Sequence, residues 1–462
     1  MPLEFGAGIV TTARELPVAS PDAPQAIDLL VIPSAVVPVE PAGTVLTDHA
    51  IAVDAGRILA ILPAADARAR YAARELRELP HHVVMPGLVN LHTHAAMSLL
   101  RGLADDLSLM DWLQNHIWPA EGAHVSRAFC LDGVRLSAAE FIRGGVTCAN
   151  DMYFFPDASA ESFSAAGMRA VVNLIIIDFP SAWAAGPDEY FAKGIAVHDA
   201  VRGDPLIRTV FAPHAPYTVS DDALRKARAY ADELGIGIHM HVHETAFEVA
   251  DAVEKTGKRP WQRLKDLGML GPDFIAVHMT QLTDQEIAEA AQFGVHVAHC
   301  PESNLKLASG FCPTTKLLAA GVNLGIGTDG AASNNDLDLF GEMRTAALIA
   351  KGISGDAQAF PAAKALHAAT LGGAKALGMD GEIGSLVAGK AADFIAIEMN
   401  APHLQPVYNV ISHLVYAAGR GDVSDVYVAG RPLMRERRLT TLDEEAVVAN
   451  AMQWRTRIKP AP

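Results

Sequence analysis

Histidines and carboxylates in this chain fall at the ends of short apolar runs, at spacings that suit a metal centre. The stretch VVMPGLVNLHTH, residues 83–94, closes on His92 and His94. In a β-strand, residues i and i+2 share a face. These two imidazoles therefore aim at one point, as a divalent cation requires. Later runs also end in titratable groups. RTVFAPHAP carries His214, GIHMHVHE carries His239, His241, His243 and Glu244, FIAVHMT carries His278, and GVNLGIGTDG carries Asp329. Three imidazoles and a carboxylate make a site for zinc, with nickel or iron as alternatives. His92, His94 and Asp329 supply three of the four ligands. Strand alternation cannot choose the last among His239, His241 and His243, since all three share a face. A cation held there lowers the pKa of bound water from ~15.7 towards ~7, so hydroxide is available at neutral pH. Glu244, just past its strand end, suits a general acid. His278 suits holding the hydroxide, and Asp329 suits taking its proton and passing it to a leaving group.

The elements that must position these groups are legible as a pattern. Eight apolar runs lie at 87–94, 145–153, 169–178, 208–216, 237–244, 274–280, 294–304 and 321–330, alternating with stretches such as DDALRKARAYADEL and DQEIAEAAQF that hold helix formers at helical spacing. Strands apolar on both faces, each followed by a helix, argue for a closed parallel (β/α)8 TIM barrel. In such a barrel reactive groups sit at the C-terminal strand ends, and here strands 1, 4, 5, 6 and 8 end in the residues named above. An open doubly wound sheet is the alternative. It usually carries a glycine-rich phosphate turn after its first strand, where this chain has His-Thr-His.

The chain ends read differently. Residues 1–24 form an Ala/Pro/Ser-rich tail. From Ile27 come short β-branched runs, with Asp54-Ala55-Gly56-Arg57 as a hairpin turn in a small antiparallel sheet. After the barrel, GKAADFIAIEM, VISHLVYAAG and VSDVYVAGRPLM read as further short strands. The expected organisation is a tail at 1–24, a catalytic barrel at 86–385, and a small composite β-sandwich built from 25–85 and 386–462.

Composition excludes more than it assigns. With 37 Lys plus Arg against 53 Asp plus Glu, the net charge of −16 disfavours nucleic acid and anionic membranes as partners. No apolar run reaches the ~20 residues of a membrane helix, and the N-terminus lacks the pattern of a secretory signal. The four cysteines form no C-x-x-C pair. A cytoplasmic location follows as the expectation.

The motifs PGLVNLHTHAAMSLLRG, WPAE (118–121), PHAPYT (213–218), HVHET (241–245), VHMTQL (277–282), HCPESNLKLASG (299–310) and GTDGAASNNDLDLFGEMR (327–344) together resemble the amidohydrolase superfamily, over nearly the whole chain. The resemblance is greatest to the 5′-methylthioadenosine/S-adenosylhomocysteine deaminases, which are related to s-triazine chlorohydrolases. It implies that His241 completes the metal set, that Glu121 binds ribose hydroxyls and that His214 contacts a purine ring. It also implies one zinc per subunit, a purine-nucleoside substrate and a homo-oligomer. Strand 4 has no lysine of the kind that bridges two metals in binuclear relatives, and no P-C-x-x-C marks the unrelated cytidine-type deaminases. One departure stands out. Leu174 lies where the resemblance expects an arginine for the carboxylate of S-adenosylhomocysteine, and no Arg occurs from Val171 to Tyr190. Phe179 and Trp183 suit a methylthio group better, so 5′-methylthioadenosine is the expected first substrate. Residues Met97, Leu100, Leu103 and Trp112, in a long loop at about 97–125, are candidates to cover an apolar group. The alternatives are hydrolysis of a triazine or of a guanine-type base on the same metal site, or a catalytically silent barrel that serves as a binding protein.

Overall fold

The computed structural model describes residues 24–459. The tail expected over residues 1–24 lies, but for its last residue, outside them. Eight parallel strands form the barrel: β1 Leu88–Thr93, β2 Val146–Asp151, β3 Arg169–Ile176, β4 Ile207–Pro213, β5 Ile238–Val242, β6 Phe274–His278, β7 His296–His299 and β8 Asn323–Ile326. They pair in sequence order from β1 to β8. Nearly every strand residue is buried, because the helices cover the outer face and side chains fill the inner one. The ring closes between β8 and β1. Asp329 N–H donates to His92 O at 3.0 Å, and Asn90 Nδ2 donates to Thr328 Oγ1 at 2.8 Å. Gly327 permits that approach, since a Cβ there would stand 2.8 Å from the His92 nitrogen.

Both chain ends build a second sheet of nine strands. Across it, in order, lie Arg438–Leu439, Arg431–Arg435, Val423–Val428, Phe394–Glu398, Tyr71–Pro86, Gln25–Val36, His49–Asp54 and Arg57–Pro63, with Leu46–Thr47 paired beside Gln25–Val36. The sheet folds over a core that joins its two halves, with Val53 and Ile58 packed in one cluster with Phe394 and Tyr427. The Asp54–Arg57 hairpin is present as expected. Two expectations are corrected. The sheet is mixed rather than wholly antiparallel, because the helix Ala64–Arg70 carries the chain back so that Tyr71–Pro86 runs parallel to Gln25–Val36. VISHLVY is a helix, Val410–Tyr416, which buries Ile411, Leu414 and Val415 at helical spacing behind an Asn409 cap.

Two features tie this sheet to the barrel. Tyr71–Pro86 passes through Gly87 straight into β1, where a Cβ on Gly87 would collide with Thr147. At the start of β3, Arg169 Nε donates to Asp393 Oδ2 at 2.5 Å and its Nη2 to Oδ1 at 3.2 Å, and both side chains are buried. After β1 the chain crosses the barrel mouth as short helices, Ala95–Leu100, Leu109–Trp112, Leu113–Ile117 and Trp118–His124, where a long loop was expected.

Candidate metal centre and active site

At the C-terminal end of the barrel, β1, β5 and β8 bring His92, His94, His241 and Asp329 together. Ligand nitrogens of the three histidines lie within 4.8 Å of one another. His92 Nε2 and His241 Nε2 are 3.2 Å apart, and Asp329 Oδ1 stands 3.3 Å from both His92 Nε2 and His94 Nε2. The tautomers follow from the outer partners. His94 Nδ1 donates to Met152 O at 2.5 Å and His241 Nδ1 to His214 O at 2.8 Å. A carbonyl only accepts, so in both rings Nε2 is the bare lone pair. Burial holds His92 down to about 4 and His241 well below the usual imidazole range. Burial opposes ionisation of Asp329, yet the hydrogen bond from His92 and the fields of His94, His92 and His278 leave its carboxyl well below the ordinary value. The bare Nε2 atoms of His94 and His241, with His92 Nε2 and the Asp329 carboxylate beside them and His92 Nδ1 left without a partner among the described residues, fit a cation.

The Asp329 carboxylate is held rigidly. Its Oδ2 accepts from Ser303 Oγ at 2.6 Å and Ser333 Oγ at 2.8 Å, and its Oδ1 accepts the Gly330 N–H at 2.8 Å. Its own φ is 58°, which turns the side chain inward past the strand end. His278 has φ 71°, and its Nδ1 donates to Asn304 Oδ1 at 2.8 Å, leaving Nε2 free to accept. That Nε2 is 3.7 Å from Glu244 Oε2. Burial, with Asp329 nearby, pushes the Glu244 carboxyl up to about 8. Neither His239 on β5 nor His243 just past its end joins the group. His239 lies deeper, donating from Nδ1 to Asn173 Oδ1 at 2.7 Å. His243 has φ 53°, which breaks the alternation and carries its ring outward, where Nε2 accepts the Trp261 N–H at 3.1 Å.

These groups floor a cleft of about 460 Å³. Glu121 and His214 both line it, and burial pushes the Glu121 carboxyl up to about 7. Tyr153 donates its hydroxyl to Glu121 Oε1 at 2.7 Å. Reading the sequence missed Tyr153, Ser303 and Ser333. Tyr153 closes the second apolar run, and the serines sit in the HCPESN and GTDGAAS motifs. The remaining walls are mostly apolar, and no lysine or arginine lines the cleft among the described residues. Of the four covering candidates, Met97 and Trp112 line the cleft, whereas Leu100 and Leu103 pack into the core beneath. Phe179 lines the mouth, 44% exposed, but Trp183 is buried edge-on against Tyr190. Leu174 points away from the cleft, its Cβ 3.3 Å from where a Cβ on Gly194 would lie. The side chains here that do line the cleft are Ile175 on β3 and Ile177 just past its end.

The pattern described as the amidohydrolase family matches residues 83–433. The chain belongs to the amidohydrolase family. It is 48% identical over 432 residues to the 5-methylthioadenosine/S-adenosylhomocysteine deaminase of Saccharophagus degradans, covering 94% of this chain and 97% of the relative. Among solved structures it is similar to an adenosine deaminase from Xanthomonas campestris with bound zinc, at 54% identity and TM-score 0.94, covering 95% of this chain and all of that one. The zinc complex of the atrazine chlorohydrolase TrzN from Arthrobacter aurescens shares the fold, with TM-score 0.85 at 23% identity over 92% of this chain and 99% of that one. This amidohydrolase is a hydrolytic enzyme of a metal-dependent family. Among its described residues no helix is long and apolar enough to cross a membrane.

Proposed function

We propose that this amidohydrolase deaminates 6-aminopurine nucleosides, 5′-methylthioadenosine first, to the inosine derivative and ammonia. S-adenosylhomocysteine and adenosine are weaker substrates. The observation that carries the reading is the placement, in one cleft, of a cation-ready histidine–aspartate group, the buried Glu244 side chain and the Glu121 carboxylate, whose Oε1 is held by Tyr153. His92, His94, His241 and Asp329 would hold one zinc ion per subunit. When bound, the cation supplies Lewis acidity that makes hydroxide available at neutral pH.

The chain's own groups do the rest. Glu244 is neutral below about pH 8, so it has a proton to give to ring N1 as the nucleophile adds at C6. His278 Nε2 is left free by its bond to Asn304, so it can accept a hydrogen bond from the nucleophile and hold it in line. Asp329 is ionised and close enough to take a proton and return it to the amino group, which leaves as ammonia. Glu121 keeps Oε2 for a ribose hydroxyl while Tyr153 fixes Oε1. His214 contacts the purine. The catalytic unit is the barrel, residues 86–385, with the sheets of 25–85 and 386–462 as its support. We place the enzyme in the cytoplasm, where its buried free thiols stay reduced, and expect a homo-oligomer.

The test is ammonia release by zinc-loaded protein on 5′-methylthioadenosine, S-adenosylhomocysteine, adenosine, guanine and a chlorotriazine, side by side. Methylthioadenosine should lead. Faster turnover of guanine or the triazine would show that Glu121 and His214 do not read a nucleoside. A protein that binds no stoichiometric metal and turns over none of the five would be a silent barrel.

A further inference from the structure

A Thr-x-x-Glu sequence opens two barrel helices, and the two glutamates serve different ends. Before the helix Asp284–Phe293, the Thr283 hydroxyl accepts the Glu286 N–H at 3.2 Å, and Glu286 Oε2 accepts the Thr283 N–H at 2.8 Å. That is a reciprocal capping box. Before the helix Ala246–Thr256, the Thr245 hydroxyl accepts the Glu248 N–H at 3.1 Å, but the Glu248 carboxylate does not return to Thr245. It reaches further back. Oε2 accepts the Glu244 N–H at 2.7 Å, and Oε1 accepts the His243 N–H at 3.2 Å. Glu248 is buried, 7% exposed. With His243 at φ 53°, the two consecutive N–H groups form a concavity that receives an anion, and the carboxylate fills it.

The same two residues are held from the other side. The Thr280 N–H donates to His243 O at 3.0 Å, and its hydroxyl donates to Glu244 O at 2.7 Å. Both amide hydrogens and both carbonyls of the His243–Glu244 segment are therefore fixed by two groups that lie outside the cleft lining. This segment is not a strand, and a non-glycine residue at positive φ is a strained conformation that the surrounding bonds must hold. It carries the side chain that must point a proton at the substrate.

We propose that Glu248 is a positioning residue, which aims the Glu244 carboxyl by holding the backbone beneath it. The inference rests on Glu244 being the acid of the reaction above. A glutamine at 248 keeps the size but sets an NH2 group against a backbone N–H, so one of the two bonds is lost.

The experiment is a double-mutant cycle on methylthioadenosine deamination by zinc-loaded protein. E248Q alone should lower kcat about 10- to 100-fold through misplacement of the acid, with the metal retained. KM should stay within about twofold. In an E244Q background the same change should cost no more than about twofold, because a side chain with no proton to give cannot be mis-aimed. A near-native kcat for E248Q overturns the proposal. So does an equal loss in both backgrounds, which would make Glu248 a capping residue and nothing more. If E248Q does not accumulate as folded protein, Thr280→Val tests the opposite grip by the same cycle. A loss that vanishes in the E244Q background supports the proposal, and an additive one overturns it. Should E244Q itself retain turnover, the acid assignment fails, whatever E248Q does.

Discussion

Phe179→Arg should shift the substrate ratio from methylthioadenosine towards S-adenosylhomocysteine. The two substrates differ at the 5′ end, where the second carries a charged amino-acid tail. The cleft wall holds Ile175, Ile177 and Phe179, and no lysine or arginine among the described residues lines it. Phe179 is 44% exposed, so an arginine there keeps its guanidinium solvated when no substrate is bound and does not meet the cost of a buried charge. A hydrogen bond from guanidinium to carboxylate contributes about 1.5–3 kcal/mol where sheltered, and solvent at the mouth reduces that to about 1–1.5 kcal/mol. S-adenosylhomocysteine should therefore gain about 5- to 12-fold in kcat/KM. Methylthioadenosine loses apolar contact worth about one buried methylene, ~0.8 kcal/mol, or about fourfold. The ratio of the two should shift by about 20- to 50-fold, and the gain should shrink as salt is raised. Steady-state ammonia release with both substrates, at low and at high salt, reads this directly. An unchanged ratio, or a gain indifferent to salt, would show that the 5′ tail does not pass Phe179.

Glu244→Gln should lower kcat by about 10²–10⁴ with zinc content unchanged. In the native enzyme kcat/KM should fall as pH rises through about 8, because the raised pKa keeps the donating, protonated form below that value and removes it above; a profile flat to pH 10 would contradict this. His92→Ala, or exhaustive chelation of the native protein, should abolish turnover, and added zinc should restore only the chelated sample, with elemental analysis following the metal. Arg169→Met should cost about 3–5 kcal/mol of stability by leaving Asp393 buried without its partner, seen as a fall in the denaturant midpoint.

Much of the site was legible because the physics that places it is local. Two residues apart on a strand means one face, and a strand end in a barrel means the chemical face, so His92, His94, His278 and Asp329 could be read directly. The alternation rule fails where the backbone leaves the β region. His243 was grouped with His239 and His241 by parity, but its positive φ turns it outward, and nothing in the letters HMHVHE marks where the strand stops. Leu174 was singled out by the resemblance rather than by parity, and in the fold it is Ile175 and Ile177 that line the cleft. VISHLVYAAG misled for another reason. A short apolar run suits either element, and the spacing of Ile411, Leu414 and Val415 behind Asn409 was the helical sign. Glu248 stayed hidden because Thr-x-x-Glu spells a capping box in either helix. Only the distances separate the two uses.

The strand Tyr71–Pro86 feeds β1 on one side and pairs along its edge with Phe394–Glu398 on the other. On the ribosome its partner emerges only after every strand of the barrel. Until then the nascent protein presents an open, apolar sheet edge, ending in Val83, Val84 and Met85, that other chains can extend. The vulnerable period in the life of this enzyme is therefore its synthesis. A chain stalled or truncated between residues 330 and 393 should self-associate through that edge while already holding all four residues of the metal group.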